Sequence, residues 1–316
     1  MLIVEVLPKP PRPLLKTFMH DWGDFSLMQA MDEVIEDAVV DMIRRAVTSL
    51  PSDVVAALEA AERSETAEGA RRELGIMVRN VKEARACTLP MCQDTGIPVF
   101  FVTASGFPGP GLEETLARAV RRATTDVPLR RNVVDPLTRA NTGDNTGVLM
   151  PYVSYAVRDQ DYVEITFLPK GAGSENMSAL AMLNPQDGVA GIRRFVLDTI
   201  VRAGGKPCPP VIVGVGVGGS SDACMALAKK ALLRPVGSAS PDGRLAKLEA
   251  ELLEMINDTG IGPMGLGGRT TALAVHAEGA SCHTASLPVG VNVQCYAARR
   301  ASMRVYGDGR IVPGGD

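Results

Sequence analysis

Pro210-Val211-Ile212-Val213-Gly214-Val215-Gly216-Val217-Gly218-Gly219-Ser220-Ser221 is the stretch that decides the fold. Its first half is a short, continuous apolar run rich in valine, which reads as a buried strand. The run passes into glycines, and a helix follows from Asp222 to about Leu233. A strand entering a glycine loop and then a helix is a geometry that binds phosphate at a helix N-terminus. The sequence lacks G-x-x-x-x-G-K-[ST], matches G-x-G-x-x-G poorly, and has no acidic residue ending a following strand. A tight turn is therefore the reading of residues 214–219.

Outward from this stretch, helices and strands alternate. A helix is expected over 243–257 with Leu248, Leu252 and Ile256 inward, and Val289 to Cys295 reads as a final strand. Towards the N-terminus, a helix is expected over 189–203. Residues 150–168 read as two strands joined by a hairpin at Asp159-Gln160-Asp161. Ile97 to Val102 is a short buried strand, and a helix follows over 112–124. The first ninety residues form a helical layer. Ile35, Val39, Met42, Ile43 and Ala46 share one face from about residue 28. Pro51 breaks that helix, Ser52 and Asp53 are placed to cap a second over 54–63, and a third runs over about 67–86. The class is α/β, mixed α+β, with an N-terminal helical layer followed by a helix-flanked sheet. Residues 1–26 stand apart as an extended arm or an added N-terminal extension, because Pro8-Lys9-Pro10-Pro11-Arg12-Pro13 cannot be helix interior. Residues 27–316 read as one domain.

The totals exclude several functions. Charged residues make up 22% and the net charge is -3, which gives no electrostatic case for nucleic acid or membranes. Aromatic residues are only 4%, leaving little to stack bases on. No apolar run approaches the roughly 18 residues of a membrane span, and no signal-peptide pattern opens the chain. The cytoplasm is the expected compartment. In that reducing setting Cys87, Cys92, Cys208, Cys224, Cys282 and Cys295 are expected as ligands, catalytic groups or fillers rather than disulfides.

Cys92-Gln93-Asp94-Thr95-Gly96 gathers a thiol, an amide, a carboxylate and a hydroxyl just before a buried strand. A carboxylate there is costly unless it is used or paired. Lys170-Gly171-Ala172-Gly173-Ser174-Glu175-Asn176 follows a strand and offers backbone amides to a carboxylate ligand; its bland alternative is a helix-entry loop. Of three histidines, His20 lies in the arm and His276 reads as structural on a helix face. His283, just before a strand, is the best acid–base candidate. Arg130-Arg131 can clamp a carboxylate or simply stand in solvent. Cys92, Cys208 and Cys295 are too far apart in sequence to form a local metal motif.

Taken together, Cys92-Gln93-Asp94-Thr95-Gly96, Asn141-Thr142-Gly143-Asp144-Asn145-Thr146, Lys170 to Asn176, Lys206-Pro207-Cys208-Pro209-Pro210, Gly260 to Gly268, and Ala285-Ser286-Leu287-Pro288-Val289-Gly290 with Gln294-Cys295-Tyr296-Ala297-Ala298-Arg299 resemble the class I fumarate hydratase and tartrate dehydratase family. The resemblance spans about residues 28–305 and is nearest to the α subunit of a two-subunit enzyme. It implies the fold of the class I fumarase N-terminal domain and a hydro-lyase activity, reversible hydration of fumarate to L-malate. It implies a [4Fe–4S] cluster on Cys92, Cys208 and Cys295, leaving Cys87, Cys224 and Cys282 as fillers. It implies Asp94 and His283 as catalytic residues, with Gln93, Arg130, Gly171 and Gly173 on substrate carboxylates. The second half of that family's site is not found before Asp316, so a separate β subunit and a higher oligomer such as α2β2 are expected. The alternatives are the α subunit of an L(+)-tartrate dehydratase or another dicarboxylate hydro-lyase, or a degenerate, non-catalytic relative.

Overall fold

The computed structural model describes residues 25–106 and 111–314. The proline-rich arm and His20 lie outside the described residues. Helix α1 (Phe25–Thr48) runs up to Pro51, whose ring removes a backbone donor and bars continuation. Helices α2 (Ser52–Ser64) and α3 (Glu68–Cys87) follow. Ser52 and Asp53 do not cap α2 with their side chains. Asp53 instead pairs with Arg300 at 2.7 Å and accepts the Val236 amide at 2.6 Å. A long-range cation and amide outbid the local cap.

Two mixed sheets organise the rest. The first contains β1 (Ile97–Ala104), β2 (Tyr152–Val157), β3 (Tyr162–Lys170), β8 (Ala301–Tyr306) and β9 (Ile311–Pro313), in the order β2-β1-β3-β8-β9. The expected hairpin between residues 150 and 168 does not form. β1 sits between β2 and β3, parallel to the first and antiparallel to the second. The apolar Val99, Phe100 and Val102 are fully buried by this central position. Gln160 closes the connection by donating to the carbonyls of Thr103 and Tyr162. Helices α1 and α4 (Gly111–Asp126) cover this sheet, with Val39, Met42, Ile43, Leu116, Val120, Phe100 and Ile165 in one core.

The second sheet contains β4 (Ala179–Leu183), β5 (Val211–Gly219), β6 (Ala272–Cys282) and β7 (Leu287–Gln294), in the order β4-β7-β5-β6. β5 runs parallel to β6 and antiparallel to β7. Period-two alternation sorts the deciding stretch. Val211, Val213 and Val215 pack against α6 (Gly188–Ala203) and α8 (Gly243–Asn257). Gly214 and Gly216 point the other way, against α7 (Ser221–Ala231). A Cβ on Gly214 would stand 2.0 Å from the Ala228 oxygen, and one on Gly216 would stand 1.9 Å from the Cys224 oxygen. These glycines are therefore strand residues that admit a helix backbone, not a loop. Only Gly218 and Gly219, with φ of 85° and 71°, turn the chain into α7.

β7 is not the final strand, and His276 lies on β6, paired with Gly214, rather than on a helix. Helices α2 and α3 pack over a third core with Ile212, Ala274, Met91 and Ala297, beside Cys92 and Cys295. No helix among the described residues is long and apolar enough to cross a membrane.

Candidate active site

Four connecting loops converge where the two sheets meet. The first is Cys92 to Gly96, entering β1. The second is Gly171 to Gly173, leaving β3 into the one-turn helix α5 (Ala172–Glu175). The third is Lys206 to Cys208, entering β5. The fourth is Cys295 to Arg299, leaving β7. Strand ends place all four, so sequence-distant groups meet in one region.

Asp94 is held tightly. Its Oδ1 accepts the Gly96 amide at 2.9 Å and Asn132 Nδ2 at 3.3 Å, and its Oδ2 accepts the Ala172 amide at 2.7 Å. Three donors to one carboxylate fix its direction. Gly171 leaves room for it, since a Cβ there would lie 3.2 Å from Asp94 Oδ2. Gly96 is required by φ of 83° and by the Pro169 carbonyl carbon, 2.6 Å from a Cβ built on it. Thr95 is buried, and its Oγ1 accepts the Arg130 amide at 3.0 Å. Asn145, 2% exposed, accepts the Asn132 amide at 2.7 Å and donates to the Arg130 carbonyl at 3.1 Å. The Asn141–Thr146 loop thus supports the segment that presents Arg130. The side chains of Arg130, Arg131 and Gln93 are exposed.

The three cysteines of the family motifs are each half-buried. The Cys208 carbonyl accepts the Tyr296 amide at 3.1 Å, joining two of the cysteine loops directly. Cys208 itself has φ of 54°, a strained backbone for a residue with a Cβ. Burial pushes the Cys208 thiol up, and the nearby Cys92 adds to it. Burial also pushes Cys295 up; Arg299 opposes this, while Cys92 and Cys208 reinforce it. The three sulfurs thus share one electrostatic environment. Among the described residues, no three His, Cys, Asp or Glu side chains converge on a single metal ion. Thiolates on separate iron corners of a cluster stand further apart than ligands of one ion, and an all-thiolate set suits iron–sulfur chemistry.

Of the remaining cysteines only Cys224 is a buried filler. Cys87 at the end of α3 and Cys282 at the end of β6 are exposed, because each sits at the solvent end of its element.

Two buried cations flank the thiols, and sequence reading missed both. Lys170 spans the two sheets: from the end of β3 its Nζ donates to Ser174 Oγ at 2.9 Å and to the Val293 carbonyl of β7 at 2.8 Å. It also lies 3.2 Å from Glu175 Oε2. Burial lowers its pKa to about 8, against the pull of Glu175 and Cys295. Burial would raise Glu175, but Lys170 and Lys229 outweigh it and hold the carboxyl below its usual range. Arg299, 1% exposed, donates from Nη2 to the Asp94 carbonyl at 2.9 Å. Its Nε and Nη1 have no partner. A buried cation with two idle donors near the Cys295 thiol fits an anionic group held by the cysteines. The only sequence signal for either residue was its place inside a motif.

His283 is not brought to this cluster within one chain. Cys282 pairs with Gly219, and Gln294 pairs with Ile212, at opposite ends of β5. Seven strand residues at about 3.3 Å each separate the two ends by roughly 23 Å. His283 is exposed on the β6–β7 turn, where its Nδ1 accepts the Ala285 amide at 3.1 Å. A cleft of about 1030 Å³ also lies away from the cysteines, opening between the first sheet and α7 at Arg45, Arg158, Lys230 and Arg300.

Comparison with known proteins places these features. A family model described as fumarate hydratase (Fumerase) matches residues 36–304. The putative L(+)-tartrate dehydratase subunit alpha of Methanocaldococcus jannaschii is 48% identical over 283 residues, covering 88% of this chain and 99% of that protein. The L(+)-tartrate dehydratase subunit alpha of Escherichia coli strain K12 is 37% identical over 283 residues, covering 89% of this chain and 93% of that protein. The protein of the same description from Shigella sonnei matches to the same extent.

Proposed function

From the premise that this chain belongs to the fumarate hydratase (Fumerase) family, and is thus a hydro-lyase, we propose that it is the cluster-bearing α subunit of a dicarboxylate hydro-lyase that works with a separate β subunit. The relatives named subunit alpha support the two-subunit reading, because this chain covers 99% and 93% of their lengths. The observation that carries the proposal is the meeting of Cys92, Cys208 and Cys295 with the unpaired, buried Arg299 and the fixed carboxylate of Asp94.

Cys92, Cys208 and Cys295 would hold a [4Fe–4S] cluster. When bound, such a cluster supplies an open iron as a Lewis acid toward the substrate hydroxyl. This chain's own residues do the rest of their share. Arg130 and Gln93, both exposed beside Asp94, bind substrate carboxylates, Arg130 through its planar donor fork. The loop from Gly171 to Gly173 brings backbone amides to the same ligand. Asp94, held by three donors, orients and shares the proton removed from the carbon next to the leaving hydroxyl. The partner subunit supplies the remaining base. His283 reaches an Asp94 site only from another copy of the chain, in keeping with an assembly such as α2β2. Residues 27–316 act as the catalytic unit, in a reducing compartment that we take to be the cytoplasm.

We assign fumarate and L-malate as the substrate pair, on the match of the fumarate hydratase model to residues 36–304. A second reading, L(+)-tartrate dehydration, is favoured by the descriptions of the relatives. Anaerobic co-expression with the partner subunit, followed by parallel fumarate-hydration and tartrate-dehydration assays, tests both. Faster turnover of tartrate overturns the first assignment, and turnover of neither overturns both substrate assignments.

A further inference from the structure

Arg299 is the largest fully buried side chain among the described residues. Its one hydrogen bond, from Nη2, goes to a main-chain oxygen, that of Asp94, and not to a carboxylate. No ion pair to Arg299 exists among the described residues. A guanidinium is always charged, carries five donors in a rigid fork, and is costly to bury without an anion. A chain that keeps one here, with Nε and Nη1 idle, has an anion in view. The Asp94 carboxylate makes no ion pair with it, its two oxygens accepting instead from Gly96, Asn132 and Ala172. The remaining anionic group in reach is the one set by the cysteines. Arg299 lies four residues past Cys295, on the same loop leaving β7.

We propose that Arg299 is a positioning residue for the sulfur-ligated group of this site, its Nε–H and Nη1–H donating to the sulfurs of the group that Cys92, Cys208 and Cys295 hold. This rests on the cysteine-ligand reading above. A dicationic iron–sulfur core on three thiolates carries net negative charge, which answers the guanidinium. Hydrogen bonds to cluster sulfurs and local charge are levers on both affinity and reduction potential. The same side chain ties the group to the backbone of Asp94, so cluster and carboxylate keep a fixed relation.

The test loads the full chain anaerobically with iron and sulfide, without substrate, as parent, Arg299→Gln and Arg299→Lys. Iron and sulfide content, the spectroscopically monitored midpoint potential, and the melting temperature of each apo form are measured. Arg299→Gln is expected to bind the group about 10–100-fold more weakly, with its midpoint moved to more negative potential. Arg299→Lys is expected to fall between that variant and the parent. Apo Arg299→Gln is expected to melt no lower than apo parent, because an unpaired buried charge has been removed. If Arg299→Gln matches the parent in content and potential, the inference falls and the cysteine reading survives. If apo Arg299→Gln melts well below apo parent while its folded fraction loads normally, Arg299 is a packing residue and the inference falls. A parent chain that takes up no iron and sulfide overturns the cysteine reading, and this inference with it.

Discussion

Arg299 donates from Nη2 to the main-chain oxygen of Asp94 at 2.9 Å, which ties the loop after Cys295 to the loop after Cys92. Two residues 205 positions apart thus fix the relation between a thiol-bearing strand end and a candidate catalytic carboxylate. With the Ala172 amide on Asp94 Oδ2, the contact makes one rigid unit from pieces of both sheets. Rigid positioning of a proton-transfer group is where such a site gains its rate.

Asp94→Asn keeps the side chain's shape and removes its charge. Its expected effect is a turnover loss of about 10²- to 10⁴-fold with iron content unchanged. Gly171→Ala crowds Asp94 Oδ2 at 3.2 Å and is expected to lower turnover less severely. Anaerobic kinetics alongside iron analysis checks both, and parental turnover in Asp94→Asn would remove Asp94 from the mechanism.

Asp94→Asn and His283→Asn chains, each inactive alone, are expected to recover part of the activity when co-assembled. The recovery follows from the roughly 23 Å that the β5 register puts between the His283 and Cys295 ends of the sheet. A mixture as inactive as its components would mean that His283 serves no neighbouring copy.

His276 is 1% exposed and neither ring nitrogen has a partner. Burial lowers its pKa to about 4, with Arg234 adding to the effect. The folded value lies below the unfolded value of 6.5, so the unfolded chain binds the extra proton first. The stability from neutral His276 is complete above pH 6.5 and drains away as pH falls towards 4. The loss approaches roughly 3 kcal/mol at most. Urea midpoints across that range should slope steeply in the parent and flatten in His276→Asn; equal slopes would contradict this.

Gly216→Ala drives a methyl group to 1.9 Å from the Cys224 oxygen. Overpacking of this kind costs about 1–3 kcal/mol or more, and the helix backbone cannot step aside cheaply. Urea unfolding should show the loss. An unchanged midpoint would mean that α7 is not seated as described.

Much of this was legible in the sequence for physical reasons. The helices over 28–48, 67–86 and 243–257 announced themselves because each buries a stripe at helical spacing. The deciding strand was legible because it is a continuous apolar run. Its glycines misled, since a close helix approach and a turn call for the same residue. The hairpin at Asp159-Gln160-Asp161 misled because local turn chemistry says nothing of β1 intervening. Asn132, Lys170 and Arg299 were invisible as site residues, because each acts across a sequence gap that only the two sheets close. Asp94 stood out because a carboxylate at a strand end is costly without partners, and three donors do meet it.

The central claim is that Cys92, Cys208 and Cys295 together hold the iron–sulfur group, and iron and sulfide analysis of anaerobically purified serine variants tests it most directly. The parent, Cys87→Ser, Cys224→Ser and Cys282→Ser are predicted to carry about four irons and four sulfides per chain, while Cys92→Ser, Cys208→Ser and Cys295→Ser lose most of both. Parental iron and sulfide in those last three variants would contradict the account.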